Sequence, residues 1–416
     1  MTASAMHGHV DRGLMTQAEA RAIVARRFAP TIGIERVPLA AARNRVLASD
    51  LVATVDLPPH DGAAVDGVAV RSADLSAGTA VRLRLVGRAA AGRPFIGTLE
   101  EGQAVRICAG APMPAGADAV IMQESCLIDG LSVSIAQGTS MTGNCRRHGD
   151  DVRAGSVLVA AGRRLRSQDV AVAAALGNRE LAVFKQLSVA IFSTGDEIRE
   201  PGAELRPGEI WDTNRWLLRG LIESLGCRAT DLGILPDDGR EIERALSAAA
   251  HDHDLLVTSG GVSVGPEDHV GAVIRRRGTL DIWRMAITPG RPVGLGDIDT
   301  CPILALPGNT VPAIVMFVAF GRSLVLRLAG GQAETPDSLR LQARFSREKP
   351  AGRRDYLFGI VETPFDGPSV VVPFVGQGGG MFSRIAQTQG FIVLDEDSED
   401  IRPGDVVEFI PLPSIL

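Results

Sequence analysis

Two glycine-rich stretches and a scatter of carboxylates are the parts of this sequence that can do chemistry. The first stretch is Asp254-Leu-Leu-Val-Thr-Ser-Gly-Gly-Val-Ser-Val-Gly-Pro-Glu-Asp-His269. Residues 254–258 form a short apolar run bounded by charge and by glycine, which reads as a buried parallel strand. Ser259, Gly260, Gly261, Ser263 and Gly265 then make a loop whose backbone N–H groups can approach an anion closely. After Pro266 the pattern is helical, with Val270, Val273 and Ile274 on one face. Strand, glycine loop and helix is the arrangement that holds phosphate at a helix N-terminus. Gly260 and Gly265 have half the spacing of a Walker A loop, but Pro266-Glu267 stands where Lys-Ser/Thr is required, so an ordinary P-loop nucleotidase is excluded. The second stretch, Leu306-Pro-Gly-Asn309, runs directly into another helical pattern.

The elements that must position these loops alternate strand and helix over residues 188–330. Strands are expected at 189–192, 229–234, 255–257 and 303–306, and helices at 215–225, 239–250, 268–277 and 310–328. This is the pattern of a doubly wound parallel sheet, whose ligands sit beyond the carboxyl ends of the strands. With no G-x-G-x-x-G there, a dinucleotide-binding dehydrogenase is not supported. Ser193-Thr-Gly-Asp-Glu197 follows the first strand and Pro236-Asp-Asp238 the second. Asp196, Glu197, Asp237 or Asp238, and Asp268 should therefore converge on the ligand edge. Carboxylates beside phosphate loops repel the ligand unless a divalent cation lies between them, which implies Mg2+. Asp238 and Asp268 are also credible N-caps for the helices that follow them.

The rest of the chain bounds the setting. At 416 residues it should form two to four domains. A net charge of −6 with no Lys/Arg block argues against nucleic acid as a partner. The five cysteines are scattered without a C-x-x-C, so neither a zinc site nor a disulfide framework is indicated. The first 13 residues read as a tail without a secretory core. The longest apolar run, 311–321, is too short to span a bilayer. A soluble cytoplasmic protein is expected. Thr16-Gln-Ala-Glu19 is a capping box opening a helix to about Phe28. Residues 14–51 and 141–180 are expected to form one discontinuous α+β domain, with a β-rich domain at 52–140 inserted between them. The α/β domain at 181–332 follows, then a small β-domain at 333–416. In the insert, Asp61 and Asp66 lie five residues apart with small residues between. Asp61 is either a ligand-facing group or a solvated turn residue, and Asp66, directly before Gly67, is better suited to a turn.

Taken together, Ser193-Thr-Gly-Asp-Glu197, Ser259-Gly-Gly-Val-Ser-Val-Gly265, Leu306-Pro-Gly-Asn309 and Arg106-Ile-x-x-Gly-Ala111 resemble the MoeA family of molybdopterin molybdenumtransferases, which includes the E domain of gephyrin. The resemblance runs from about residue 14 to the C-terminus and implies that the last domain is a small β-barrel. It implies cleavage of adenylylated molybdopterin and insertion of molybdate at the dithiolene, with Mg2+. It implies an elongated homodimer whose active cleft is shared between subunits, with molybdopterin adenylyltransferase and molybdoenzyme apoproteins as further partners. The acidic residues it points to are Asp61, Asp151, Glu197, Asp237 or Asp238, and Asp268, with Glu197, Asp237 and Asp268 toward the metal. Cofactor binding would fall to Ser193, Thr194, Gly195, Ser259, Gly260, Gly261, Ser263, Gly265, Pro307, Gly308 and Asn309, with Arg291, Pro292 and Arg353 toward the oxyanion.

The sequence departs from the family pattern in several places. Asp61-Gly-Ala-Ala-Val-Asp-Gly-Val68 stands for Asp-Asn-Ser-Ala-Met-Asp-Gly-Tyr, and Ala109 replaces a threonine. Thr288-Pro-Gly-Arg-Pro292 stands for Lys-Pro-Gly-Lys-Pro, Thr310 replaces a proline, and Gln377-Gly-Gly379 lacks a serine. The pterin loops are kept and the oxyanion side is altered. A transferase is the leading expectation; a molybdopterin carrier that has lost insertion, or an enzyme handling tungstate, are the alternatives.

Overall fold

The computed structural model describes residues 13–75, 80–139, 144–261, 269–290, 292–332, 335–374 and 385–415. The chain divides into two compact units, one of Met1–Ser49, Ala161–Val170 and Arg179–Leu416, the other of Asp50–Ala160 and Ala171–Asn178.

The larger unit is built around a six-stranded sheet. Its order is Arg228–Leu235, Ser188–Thr194, Leu255–Ser259, Cys301–Leu306, Pro292–Ile298, Gly278–Arg284. The first four strands run parallel, as the βαβ pattern predicts. The last two are antiparallel additions that make the sheet mixed rather than purely parallel. They escape the sequence pattern because no helix separates them from the strand each follows or precedes. Side chains alternate across the central strands, as the pleat requires. Ala190, Phe192, Leu256 and Ile303 pack with Ile242, Leu246, Val270 and Val273 from the helices Gly239–Asp252 and His269–Arg277. Val189, Ile191, Leu255, Val257 and Leu304 face the opposite layer, with Leu218 and Ile222 of helix Asn214–Ser224 and the apolar segment from Thr310 to Leu328.

That apolar segment is a helix interrupted by a π-turn at Phe317–Gly321. The Ala319 carbonyl accepts hydrogen bonds from Gln17 Nε2 at 2.7 Å and Arg21 Nε at 3.2 Å. A carbonyl freed by the wider turn is thereby satisfied from the N-terminal helix Gln17–Arg27, whose Thr16–Glu19 capping box is formed. The whole segment, 19 residues long, is long and apolar enough to cross a membrane, but 94% of its most apolar window is buried inside the unit. It spans the expected 310–328 and passes beyond the apolar run 311–321 because Arg322 interrupts the composition without ending the helix.

The strand Ile34–Pro38 pairs with Glu180–Phe184. The C-terminal strands Arg354–Glu362, Val370–Pro373, Leu339–Ala343, Val406–Pro411 and Gly390–Leu394 close on themselves through a pairing of the first with the last, giving the small barrel.

In the smaller unit a second six-stranded sheet carries apolar residues on both faces. Ala69, Val105, Ile107 and Val120 occupy one face, and Val68, Val70, Leu83 and Ile121 the other. Two short ribbons, Leu51–Val52 with Val157–Val159 and Gly62–Ala63 with Cys145–Arg146, lie within this same unit.

Candidate functional site

Register brings the chemical residues of the larger unit to one line. Ser193 lies opposite Ser259, Ser259 opposite Leu306, and Thr194 opposite Leu235. The residues that leave these strands therefore share one edge: Gly195-Asp196-Glu197, Pro236-Asp237, Gly260-Gly261 and Pro307-Gly308-Asn309.

The two glycine loops are tied together by a residue that the motif reading passed over. Asn214, buried at the start of helix Asn214–Ser224, donates from Nδ2 to Ser259 Oγ and to the Gly308 carbonyl, both at 2.6 Å. Ser259 Oγ donates in turn to the Pro307 carbonyl at 3.0 Å, and the Gly260 N–H to the Leu306 carbonyl at 3.0 Å. Asn214 is held by Asp212, which accepts from its backbone N–H at 3.0 Å and from Arg215 Nε at 2.6 Å. Arg215 also pairs with Asp231 and Glu200. Burial opposes the charge on its guanidinium, but the Asp212 and Asp231 carboxylates outweigh it and raise its pKa further. Asp212-Thr-Asn-Arg215 is a run of polar residues opening an amphipathic helix, and nothing local in it names the distant groups that Asn214 binds.

Gly261 sits at φ +69°, and a Cβ there would come within 2.5 Å of Val270 Cγ2 and 3.1 Å of Thr194 Oγ1. Only glycine fits that position without displacing the helix behind it. Ser193 Oγ is buried with no hydrogen-bond partner among the described residues, so a polar group at the strand end is left uncommitted. Asn309 occupies the N-cap position of helix Thr310–Met316 without using its side chain to cap it. Thr310, a departure from the family pattern, is accommodated by a 2.9 Å hydrogen bond with the Thr213 hydroxyl.

The carboxylates sort themselves by what they touch. Asp238 is the N-cap of helix Gly239–Asp252, accepting from the Arg240 and Glu241 N–H groups at 2.8 and 3.0 Å. Those two hydrogen bonds, that from Glu241 first, hold its carboxyl below the usual range. Its side chain is thus spent on the helix. Asp237 instead points back across the edge and accepts from the Asp196 N–H at 3.3 Å. Burial pushes its carboxyl up, and the charges of Asp196 and Glu197 add to the push, against that hydrogen bond and the nearby His269. The Glu197 carboxylate folds back over Gly195, where a Cβ would come within 2.5 Å of Oε2. Among the described residues no cation forms an ion pair with Asp196, Glu197 or Asp237, and no three His, Cys, Asp or Glu side chains stand ready to enclose a metal. The donors are all oxygens, which suits a hard divalent ion that is completed by ligands from outside this group.

Four expected site residues, Ser263, Gly265, Asp268 and Arg291, lie outside the described residues, as does Gly379. Their neighbours are described. Gly290 packs against the helix that follows Asn309, a Cβ there meeting Pro312 Cβ at 3.1 Å. Strand Ile287–Thr288 pairs with the strand that begins at Arg354. The 288–290 loop thus stands beside the chain that carries Arg353. Arg354 is committed to Glu396 at 2.9 Å, Asp395 at 2.6 Å and Gln17 at 3.0 Å. Pro292 is exposed at the start of strand Pro292–Ile298.

In the smaller unit Asp61 is engaged by Arg147 and His148, from a segment distant in the chain. Its carboxylate accepts from the His148 N–H at 2.7 Å and from Arg147 Nη1 at 3.0 Å. The His148 hydrogen bond chiefly, with Arg147, holds its carboxyl low. Asp66 accepts from the Ala109 N–H at 2.8 Å, a contact distant in the chain. Asp151 is exposed, its N–H bonded to the Leu57 carbonyl.

With this geometry in place, the chain was compared with known proteins. Residues 15–177 match the MoeA N-terminal region (domain I and II), residues 190–327 the probable molybdopterin binding domain, and residues 340–412 the MoeA C-terminal region (domain IV). The molybdopterin molybdenumtransferase of Haemophilus influenzae is 36% identical over 385 residues, covering 92% of this chain and 95% of that one. Molybdopterin molybdenumtransferase 2 of Mycobacterium tuberculosis is 33% identical, covering 88% and 92%. The crystal structure of the molybdopterin biosynthesis moeA protein of Pyrococcus horikoshii OT3 superposes with a TM-score of 0.82 at 29% identity, covering 95% of this chain and 99% of that one.

Proposed function

The chain belongs to the MoeA family of molybdopterin molybdenumtransferases, and from that premise we propose that it hydrolyses adenylylated molybdopterin and inserts molybdate into the dithiolene. The membership makes it a transferase of molybdenum cofactor biosynthesis. The observation that carries the finer reading is the shared edge, where two glycine loops locked by Asn214 lie beside carboxylates with which no cation among the described residues forms an ion pair.

In this reading the backbone N–H groups of Gly261 and Gly308 receive the pterin phosphate, the Gly260 N–H being bonded to the Leu306 carbonyl, and Asn309 orients it. Glu197 and Asp237 hold Mg2+, with Asp268 as a further ligand. The ion, when bound, polarises the phosphoanhydride. Asp196 positions Asp237 through its N–H. Arg353 and Arg291 fork onto the oxyanion that enters. A water or molybdate oxygen attacks, AMP leaves, and no protein nucleophile is used. The cysteines support this: burial pushes the Cys227 and Cys301 thiols up to about 12, so they stay protonated and inert. The proposal includes a homodimer, which would give a mass in solution of twice 43.8 kDa.

The test loads purified protein with adenylylated molybdopterin and Mg2+, titrates molybdate, and follows AMP and mature cofactor. The reading expects both products. Tight pterin binding with neither product would replace it with the carrier reading; product with tungstate but not molybdate would change the metal alone.

A further inference from the structure

The capping box Thr16-Gln-Ala-Glu19 does more than open a helix. Ala18 and Glu19 in its first turn are exposed, yet Gln17 between them and Thr16 is only 4% exposed. Both ends of the buried amide are used. Its Oε1 accepts from Arg354 Nη1 at 3.0 Å and from the Tyr356 hydroxyl at 3.2 Å, and its Nε2 donates to the Ala319 carbonyl at 2.7 Å. Two donors on one side and a carbonyl on the other fix which way the amide faces. We propose that Gln17 is a positioning residue for the oxyanion end of the reaction, a role that rests on Arg353 meeting the oxyanion as the transferase reading has it. Gln17 holds the turn that carries Arg353 and so sets the affinity for molybdate.

Three segments meet at this amide, all within the larger unit. The first is the strand Arg354–Glu362, which leaves the turn at Arg353. Asp395 and Glu396 also grip that turn, through the Arg354 side chain and through a 2.8 Å hydrogen bond from the Gly352 N–H to the Glu396 carbonyl. Those two acidic residues follow a strand of the same small barrel, so they shape the turn without tying it to the helices. Gln17 supplies that tie. The second segment is the π-turn Phe317–Gly321, in the helical stretch that starts after Asn309. The third is the run 284–288, which leads into Thr288-Pro-Gly290. The Met15 N–H donates to the Arg284 carbonyl at 2.8 Å and the Ala286 N–H to the Met15 carbonyl at 2.8 Å, while the Arg354 N–H donates to the Ala286 carbonyl at 2.9 Å. The backbone two residues before Gln17 thus runs beside the 288–290 loop's own strand, and its side chain reaches the strand beyond. A small shift of this junction moves Arg353, and an arginine fork demands its geometry closely.

The experiment titrates sodium molybdate into the full-length protein by calorimetry and, in turnover, finds the molybdate concentration for half-maximal cofactor formation. Gln17→Met keeps the volume and removes the hydrogen bonds. The Ala319 carbonyl keeps Arg21, and Arg354 keeps Asp395 and Glu396, so the variant should fold. The expectation is molybdate affinity weakened roughly tenfold in both readouts, with kcat at saturating molybdate and affinity for adenylylated molybdopterin within about twofold of wild type. Gln17→Glu, which still accepts from Arg354 and Tyr356, should recover most of the loss. Wild-type molybdate affinity in Gln17→Met would overturn the proposal. So would an equal loss of pterin binding, the mark of general loosening, or a Gln17→Glu variant no better than Gln17→Met. No saturable molybdate binding by the wild type up to roughly 10 mM would overturn it as well. A wild type that binds molybdate and loses affinity in Gln17→Met, but forms no cofactor, would sink the transferase reading and leave the positioning role standing.

Discussion

The acidic groups in the two units contain the same residue types in similar glycine-rich loops, yet they are treated in opposite ways. In the smaller unit Asp61 is clamped by Arg147 and the His148 N–H, and its carboxyl is held low. At the strand edge of the larger unit Asp196, Glu197 and Asp237 face one another, and the Asp237 carboxyl is pushed up. A carboxylate satisfied by partners within its own unit contributes to shape. Carboxylates that crowd without a cation store repulsion that an arriving cation relieves. The difference separates a structural aspartate from a candidate ligand where the motif alone treats them alike.

The largest effect should come from breaking the crowded group. Glu197→Ala should reduce Mg2+-dependent AMP release by about 100-fold or more while leaving the fold intact, measured by single-turnover assay and thermal unfolding. Asn214→Ala comes next, because it removes two buried hydrogen bonds and leaves the Gly308 carbonyl short of a partner. It should cost about 2–3 kcal/mol in denaturant unfolding, with weakened pterin binding. Asp238→Ala should lower stability modestly as a lost cap, yet change AMP release less than about threefold. A large fall in AMP release in that variant would return Asp238 to the chemistry. The smallest effect is that of Asp61→Asn, below about 1 kcal/mol, because its partners are half exposed and screened. Since the folded Asp61 carboxyl titrates below its unfolded value of about 3.9, its contribution is present above that pH. It disappears as pH falls through the lower folded value. Acid unfolding of wild type and variant should therefore converge at low pH, not at neutrality.

The glycine loops, the strand ends and the presence of the four parallel strands were legible because each carries a local signal: an apolar run, a glycine cluster, a helix start. The Asp238 cap was legible as one of two roles, and only the hydrogen bonds from Arg240 and Glu241 decide it. Asn214 was not legible as a lock, since its partners lie 45 and 94 residues away and no local pattern announces them. The antiparallel strands Gly278–Arg284 and Pro292–Ile298 were missed for a related reason: they have no intervening helix to mark a βαβ unit. The π-turn at Phe317–Gly321 was hidden because a continuous apolar stretch reads as an unbroken helix.

The central claim is that Asp237, raised by burial and by its acidic neighbours, is a cation ligand. The direct measurement is the Mg2+ concentration needed for half-maximal AMP release, followed from pH 8 downward for wild type and Asp237→Asn. A proton held more tightly than on an ordinary aspartate competes with the cation, so the wild-type Mg2+ requirement should climb while pH is still above about 4. Asp237→Asn should need far more Mg2+ at every pH and lose that climb. Equal Mg2+ requirements in the two proteins, with the same pH dependence, would contradict the account.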